Sequence, residues 1–173
     1  MESWITQALP GAVAYAASLL GDREKADDIV QDCVCRLLLH AARYDLPADG
    51  RRLLFRSITN ACINLVTRER PTTSIDELGR ASAQESWEFE DTTAIEPSSL
   101  AIIQEMRTMV HNGLNTLPIR QRSALELWSF GYSATEIAEM LSISVGHARV
   151  TIHRATKALE EYLIVQGVRS EER

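Results

Sequence analysis

Residues 131–155 read GYSATEIAEMLSISVGHARVTIHRA, and their pattern decides the fold. Ser133 stands three residues before Glu136, so its hydroxyl can cap a helix while the carboxylate reaches back, a capping box. That helix is short, covering about 134–141, because the chain pauses at Ser142-Ile143 and restarts at Ser144. Ala148, Ile152, Ala155 and Leu159 then make one apolar stripe up to about Tyr162. Two helices joined by a tight turn, the second exposed at its start, predict a helix-turn-helix.

Upstream of this unit, Leu100, Ile103, Met106, Val110 and Leu114 recur at helical spacing before the punctuation Leu117-Pro118. Another short helix carries Ala124, Leu125 and Trp128 and ends near Gly131. Residues 98–173 therefore form one helical domain. Before it, residues 71–97 contain many Ser, Thr, Asp and Glu side chains with no helical apolar period, which reads as an acidic flexible linker. Trp87 and Phe89 are its apolar residues.

Residues 1–70 form a second helical domain. Ala26, Ile29, Val30, Cys33, Val34, Leu37 and Leu38 follow the rule of a buried helix face, with Asp22 at the N-cap position. After Asp49, Leu54, Ile58, Ala61, Cys62 and Leu65 make another apolar face that stops before Pro71. A shorter helix at 11–20 turns Val13, Ala17 and Leu20 inward. No strand-like alternation of useful length occurs, so the expected fold class is all-α, two small helical domains joined by the linker.

The chain has 173 residues, 45% hydrophobic and 24% charged, which leaves room for one or two small domains. No apolar run approaches the roughly 18 residues of a membrane helix, and the start lacks a signal-peptide pattern. A soluble, cytoplasmic protein without membrane insertion is expected. Three cysteines, Cys33, Cys35 and Cys62, are too few for a disulfide framework. Net charge is −6, an apparent objection to nucleic acid, but residues 71–100 hold one basic and seven acidic side chains while both flanking segments are balanced. The acidity belongs to the linker.

Catalytic patterns are missing: the sequence has no Gly-rich phosphate loop, nucleophile elbow or zinc helix. Cys33 and Cys35 would point about 200° apart on a helix and cannot share a metal. No catalytic residue, metal or cofactor is expected. Polar faces carry more information. Opposite the stripe of the Asp22 helix lie Asp27, Asp28, Gln31, Asp32, Cys35 and Arg36, either a solvated face or a protein-binding ridge. On the next helix Arg52, Arg56, Asn60, Asn64 and Arg68 recur every four residues with Arg51 beside the first. This is either another solvated face or a surface that holds phosphates and reads unstacked bases. At the helix-turn-helix, Ser144, Gly146, His147, Arg149, Val150, His153 and Arg154 lie at the entry or on the solvent side of the second helix. Arg149 can bind guanine through two hydrogen bonds, and His147 can add a phosphate contact.

Two blocks resemble one family in the right order. Leu19-Leu20-Gly21-Asp22-Arg23-Glu24-Lys25-Ala26-Asp27-Asp28-Ile29-Val30-Gln31-Asp32 is the first. The second runs from Leu117-Pro118-Ile119-Arg120-Gln121-Arg122 through Gly131-Tyr132-Ser133 and Glu136-Ile137-Ala138 to Ser144-Val145-Gly146 and Ile152-His153-Arg154-Ala155. Both are similar to bacterial sigma factors of the extracytoplasmic-function (ECF) type, and the likeness covers about 10–70 and 98–162. It implies a transcription initiation factor whose partners are core RNA polymerase, promoter DNA and an anti-sigma factor. It assigns Asp28, Gln31, Asp32 and Arg36 to polymerase. Arg51, Arg52, Arg56, Asn60, Asn64 and Arg68 fall to melting and reading the minus-ten element, and the seven residues of the last helix to the minus-thirty-five element.

The sequence departs from that family where Asn64 replaces a customary Asp and where Thr151 replaces a customary cation. Weaker phosphate binding or an unusual promoter is the expected consequence. The alternatives are a degenerate sigma mimic that binds regulators but not DNA, and a helix-turn-helix repressor, which leaves the first domain unexplained.

Overall fold

The computed structural model describes residues 3–68 and 97–167. Most of the expected linker lies outside the described residues. Among those described, the elements are helices and no strand: α1 (Ser3–Leu20), α2 (Arg23–Leu39), a 3-10 turn (Ala41–Arg43), α3 (Leu46–Arg68), α4 (Pro97–Asn115), α5 (Ile119–Ser129), α6 (Ala134–Leu141) and α7 (Val145–Val165).

Helix α1 is longer than its sequence suggests, beginning at Ser3 and running through Pro10. Its first turns are held by packing, because the Trp4 indole lies across Gly50 of α3 and Ala8 is buried. Gly21, at φ +66°, ends α1, where its N–H donates to the Ala17 carbonyl. Asp22 then caps α2, accepting from the Lys25 N–H at 3.1 Å. Ala26, Val30, Cys33 and Leu37 face the core as the period requires. Leu38, counted with that face in the sequence, is instead 44% exposed.

Small residues on α1, including Ala12, Ala16 and Ala17, let α2 and α3 approach closely around Tyr15, Phe55, Leu54 and Ile58. The Tyr15 hydroxyl donates to Thr59 Oγ1 at 2.8 Å, and that hydroxyl donates to the Phe55 carbonyl. Burial pushes the Cys33 thiol up to about 11 and the Cys62 thiol up to about 12, so both act as small apolar groups. An ideal Cβ on Gly50 would sit 2.7 Å from two indole ring atoms of Trp4. Ala in place of a helical Gly normally gains about 1 kcal/mol. Here Gly50→Ala is expected to lose about 1–3 kcal/mol through overpacking. A lower melting temperature is the expected readout, and a raised one means the indole swings aside freely.

In the second domain Ser133 accepts from the Glu136 N–H while Glu136 Oε2 accepts from the Ser133 N–H at 2.8 Å, the expected capping box. These hydrogen bonds hold the Glu136 carboxyl below its usual range. Helix α6 ends at Ser142 in the left-handed region, φ 55°, and the Ile143 N–H donates to the Ala138 carbonyl. That turn sets α7 across α5 and α6 over a core of Leu127, Ile137, Met140, Ala148 and Ile152. In α4, Ile103 and Met106 are exposed while Val110 and Leu114 are half-buried, so only its second half packs as the sequence suggested. Trp128 is 50% exposed.

The two domains share one hydrophobic cluster, which the sequence does not announce. Helix α3 meets α6, and α1 meets α5. Phe130 and Tyr132, on the segment between α5 and α6, stack on the first domain: Phe55 lies 5.4 Å from Phe130 and 5.8 Å from Tyr132, and Tyr15 lies 5.9 Å from Phe130, between centroids. Beside these rings Arg122 is almost fully buried. It donates to Glu126 Oε1 at 2.9 Å, to Asn115 Oδ1 at 2.5 Å and across the joint to Ser18 Oγ at 2.8 Å. Ser18 Oγ in turn donates to Glu126 Oε1 at 2.6 Å.

Candidate nucleic-acid and polymerase interface

Three surfaces follow from this frame. On α2, Asp28, Gln31, Asp32 and Arg36 are all exposed beside the buried stripe, with Cys35 on the same side. Arg36 and Asp32 form an ion pair at i, i+4 spacing. Because both are open to water, that pair contributes at most about 1 kcal/mol and leaves the ridge able to exchange partners.

On α3, Arg56, Asn60, Asn64 and Arg68 are exposed. Asn60 and Asn64 line a groove of about 270 Å³ together with Ser57, Ala61, Cys33 and Arg36. Two features of this groove were missed in the sequence. Ser57 shares a helical face with Asn60, Ala61 and Asn64 at i+3, i+4 and i+7, a spacing that could have found it. Arg36 closes the groove from α2, so the acidic ridge and the amide row meet at one side chain, and no local pattern signals that.

Arg51 and Arg52 are placed differently from the rest of their stripe. The Arg51 guanidinium carbon sits 5.8 Å from the ring centroids of both Phe55 and Tyr132. Arg52 donates to Glu139 of α6 at 2.6 Å and to Asp49 at 3.2 Å. The start of the α3 stripe therefore touches the second domain, with Arg52 half-buried and Arg51 exposed as Arg56 is.

On α7, Ser144 caps the helix by accepting from the His147 N–H at 3.2 Å. Gly146, His147, Arg149, Val150, His153 and Arg154 are all exposed, and the spacing of 146, 149, 150, 153 and 154 puts them on one face. Ala148, Ile152 and Ala155 are buried on the other. Thr151 is also buried, at 8% exposure, so its departure from the family pattern removes no cation from the exposed face. A helix N-terminus with a glycine in its first turn, followed by two arginines on one side, suits a phosphate backbone and a base edge. Among the described residues no group of His, Cys, Asp and Glu side chains converges as a metal site.

Together these elements make an all-helical frame, among the described residues, with a helix-turn-helix in its second half. Comparison with known proteins narrows the class. The family model for Sigma-70 region 2 matches residues 4–72, and that for Sigma-70, region 4 matches residues 107–159. The ECF RNA polymerase sigma factor SigW of Bacillus subtilis (strain 168) is 24% identical over 147 residues, covering 84% of this chain and 79% of that protein. The ECF RNA polymerase sigma factor EcfG of Rhodopseudomonas palustris (strain TIE-1) is 26% identical over 166 residues, covering 94% and 84%. In fold, the chain is similar to the sigma factor RpoE in complex with the anti-sigma factor NepR from Bartonella quintana, with a TM-score of 0.66, 20% identity, and coverage of 95% of this chain and 99% of that one. The chain belongs to the sigma-70 family, in its ECF group.

Proposed function

We propose that this promoter-directing transcription initiation factor divides its work among the three surfaces. The α2 ridge, Asp28, Gln31, Asp32 and Arg36, binds core RNA polymerase. Arg56, Asn60, Asn64 and Arg68, joined by Arg51 and Arg52, hold and read the opened minus-ten strand. The α7 face reads the minus-thirty-five duplex. The observation that carries this reading is the exposure of Asn60 and Asn64 on one groove with Arg56 a turn away, since amides can hydrogen-bond base edges and the cation can hold phosphate. A sigma factor lends specificity to polymerase and brings no chemistry of its own, so the chain is read as a non-enzyme acting in the cytoplasm. No described helix is long and apolar enough to cross a membrane. An anti-sigma protein is the expected antagonist, as the similar RpoE chain is solved in complex with one.

Run-off transcription with core polymerase on genomic fragments tests the whole reading: new start sites are expected, and none means a mimic. Reversing charge at Asp28 and Asp32 should weaken core binding at least about fivefold without loss of helicity, in keeping with rim charges that steer association. Unchanged affinity returns the ridge to a solvated face. Within the minus-ten surface, Asn64→Ala should alter base preference, while Arg56→Ala should lower affinity evenly and flatten its salt dependence. Identical effects on every oligonucleotide overturn that division.

A further inference from the structure

Val150 is an apolar side chain on the polar face of α7. It is 46% exposed and takes no part in the hydrophobic core, with Arg149 beside it and His153 and Arg154 one turn on. Among the described residues of α7, the other exposed large apolar side chains, Ile164 and Val165, stand at the far end of the helix. The fold does not ask for valine here: a β-branched residue is a poorer helix former than alanine, and this one fills no space in the core. Its neighbours decide what it can meet. Helical side chains lean back toward the N-terminus, so the isopropyl group leans over the preceding turn, with His147 at i−3 and Gly146 at i−4. Gly146 has no side chain to cover it, and even an ideal Cβ there would meet nothing within 4 Å. The methyl groups are thus left open at a fixed place, because valine in a helix keeps one rotamer in about nine cases of ten. An apolar knob among cations matches the edge of one base. In the major groove thymine presents a methyl group, whereas cytosine presents an amino donor and guanine two acceptors.

We infer that Val150 makes α7 a reader of thymine: its methyl groups pack on the 5-methyl group of one thymine in the upstream duplex, at or beside the base pair that Arg149 contacts. The inference rests on the reading of α7 as the duplex-reading face. It divides that face into cationic contacts, which weaken with salt, and an apolar contact, which does not.

The test uses the full-length chain bound to core RNA polymerase, first to select a preferred upstream element from randomised duplexes. Each thymine of that element, on either strand, is then replaced singly by deoxyuridine, which removes the 5-methyl group and keeps every hydrogen-bonding group. One replacement should lower affinity about three- to fivefold, the effect of one buried methyl-sized group. In Val150→Ala the same replacement should cost less than about 1.5-fold, since the apolar surface facing the methyl group is gone. Alanine is the better helix former, so this variant keeps its fold. Val150→Ile should retain the penalty, and added salt should weaken binding to the thymine and deoxyuridine duplexes by the same factor. The inference is overturned if no single replacement lowers affinity, if the penalty persists in Val150→Ala, or if the selected element holds no thymine. Failure of the underlying reading looks different: Arg149→Ala and Val150→Ala would then both select the same element as the wild type, with unchanged affinity.

Discussion

Arg122→Ala is expected to cost about 3–5 kcal/mol of folding free energy, the penalty for breaking a buried ion pair by removing one partner. The guanidinium satisfies Glu126, Asn115 and Ser18 together, and no water-facing route replaces it at 5% exposure. Burial already pushes the Glu126 carboxyl above its usual range, with Arg122 and Ser18 pulling it back. Removing Arg122 leaves only the upward push and the Ser18 hydroxyl, so the carboxyl should fold protonated. A carboxyl raised in the folded state contributes stability that is full below its unfolded value and lost as pH rises through the folded one. The deficit of Arg122→Ala should accordingly be smaller near pH 5 than near pH 8 in urea denaturation. The paired change Arg122→Met with Glu126→Leu should recover most of the loss, because an apolar pair of similar volume avoids the desolvation cost. A deficit below about 1 kcal/mol, or one independent of pH, contradicts the role assigned to this pair.

Arg149→Ala is the second large effect. Its side chain is exposed on the α7 face one turn after the Ser144 cap, where a guanidinium can reach a guanine edge. Loss of a two-pronged base contact should cost about 1–3 kcal/mol at the preferred upstream element and relax specificity at one or two base pairs. Gel shifts of the full chain on randomised duplexes, alone and with core polymerase, measure it. A phosphate role instead lowers affinity equally on all duplexes and reduces the salt slope. Silence in both assays turns the second domain into a protein-binding module.

Much of the architecture could be read from local chemistry. The Ser133–Glu136 box and the Ser144 cap mark the helix-turn-helix because capping is decided within four residues. The α2 stripe was legible because four of its apolar positions face a single core. The exposed faces of α2, α3 and α7 followed by subtraction. The joint between domains did not, because its contacts tie Ser18 to Arg122 and Arg52 to Glu139 across 104 and 87 positions, and periodicity carries no information at that range. Phe130 and Tyr132 fall in a connecting segment with no helical period to place them, and nothing local to Arg51 and Arg52 points to partners in the second half of the chain. The early start of α1 was hidden for a similar reason: Pro10 argues locally for a break, and only the seat of Trp4 on Gly50 holds the turns before it.

The cysteines give the molecule a built-in chemical selectivity. At neutral pH a thiol held near 11 is ionised in roughly one molecule in ten thousand, and one held near 12 in roughly one in a hundred thousand, and only the thiolate attacks an electrophile. Cys33 and Cys62 are shielded by packing as well, whereas Cys35 is open to reagent on the outer side of α2. A maleimide dye therefore marks the native chain at one position, on the face read as meeting polymerase, and footprinting of Cys35 with and without core enzyme reports that encounter directly. Labelling of the other two sulfurs becomes, for the same reason, a clock for opening of the first domain's core.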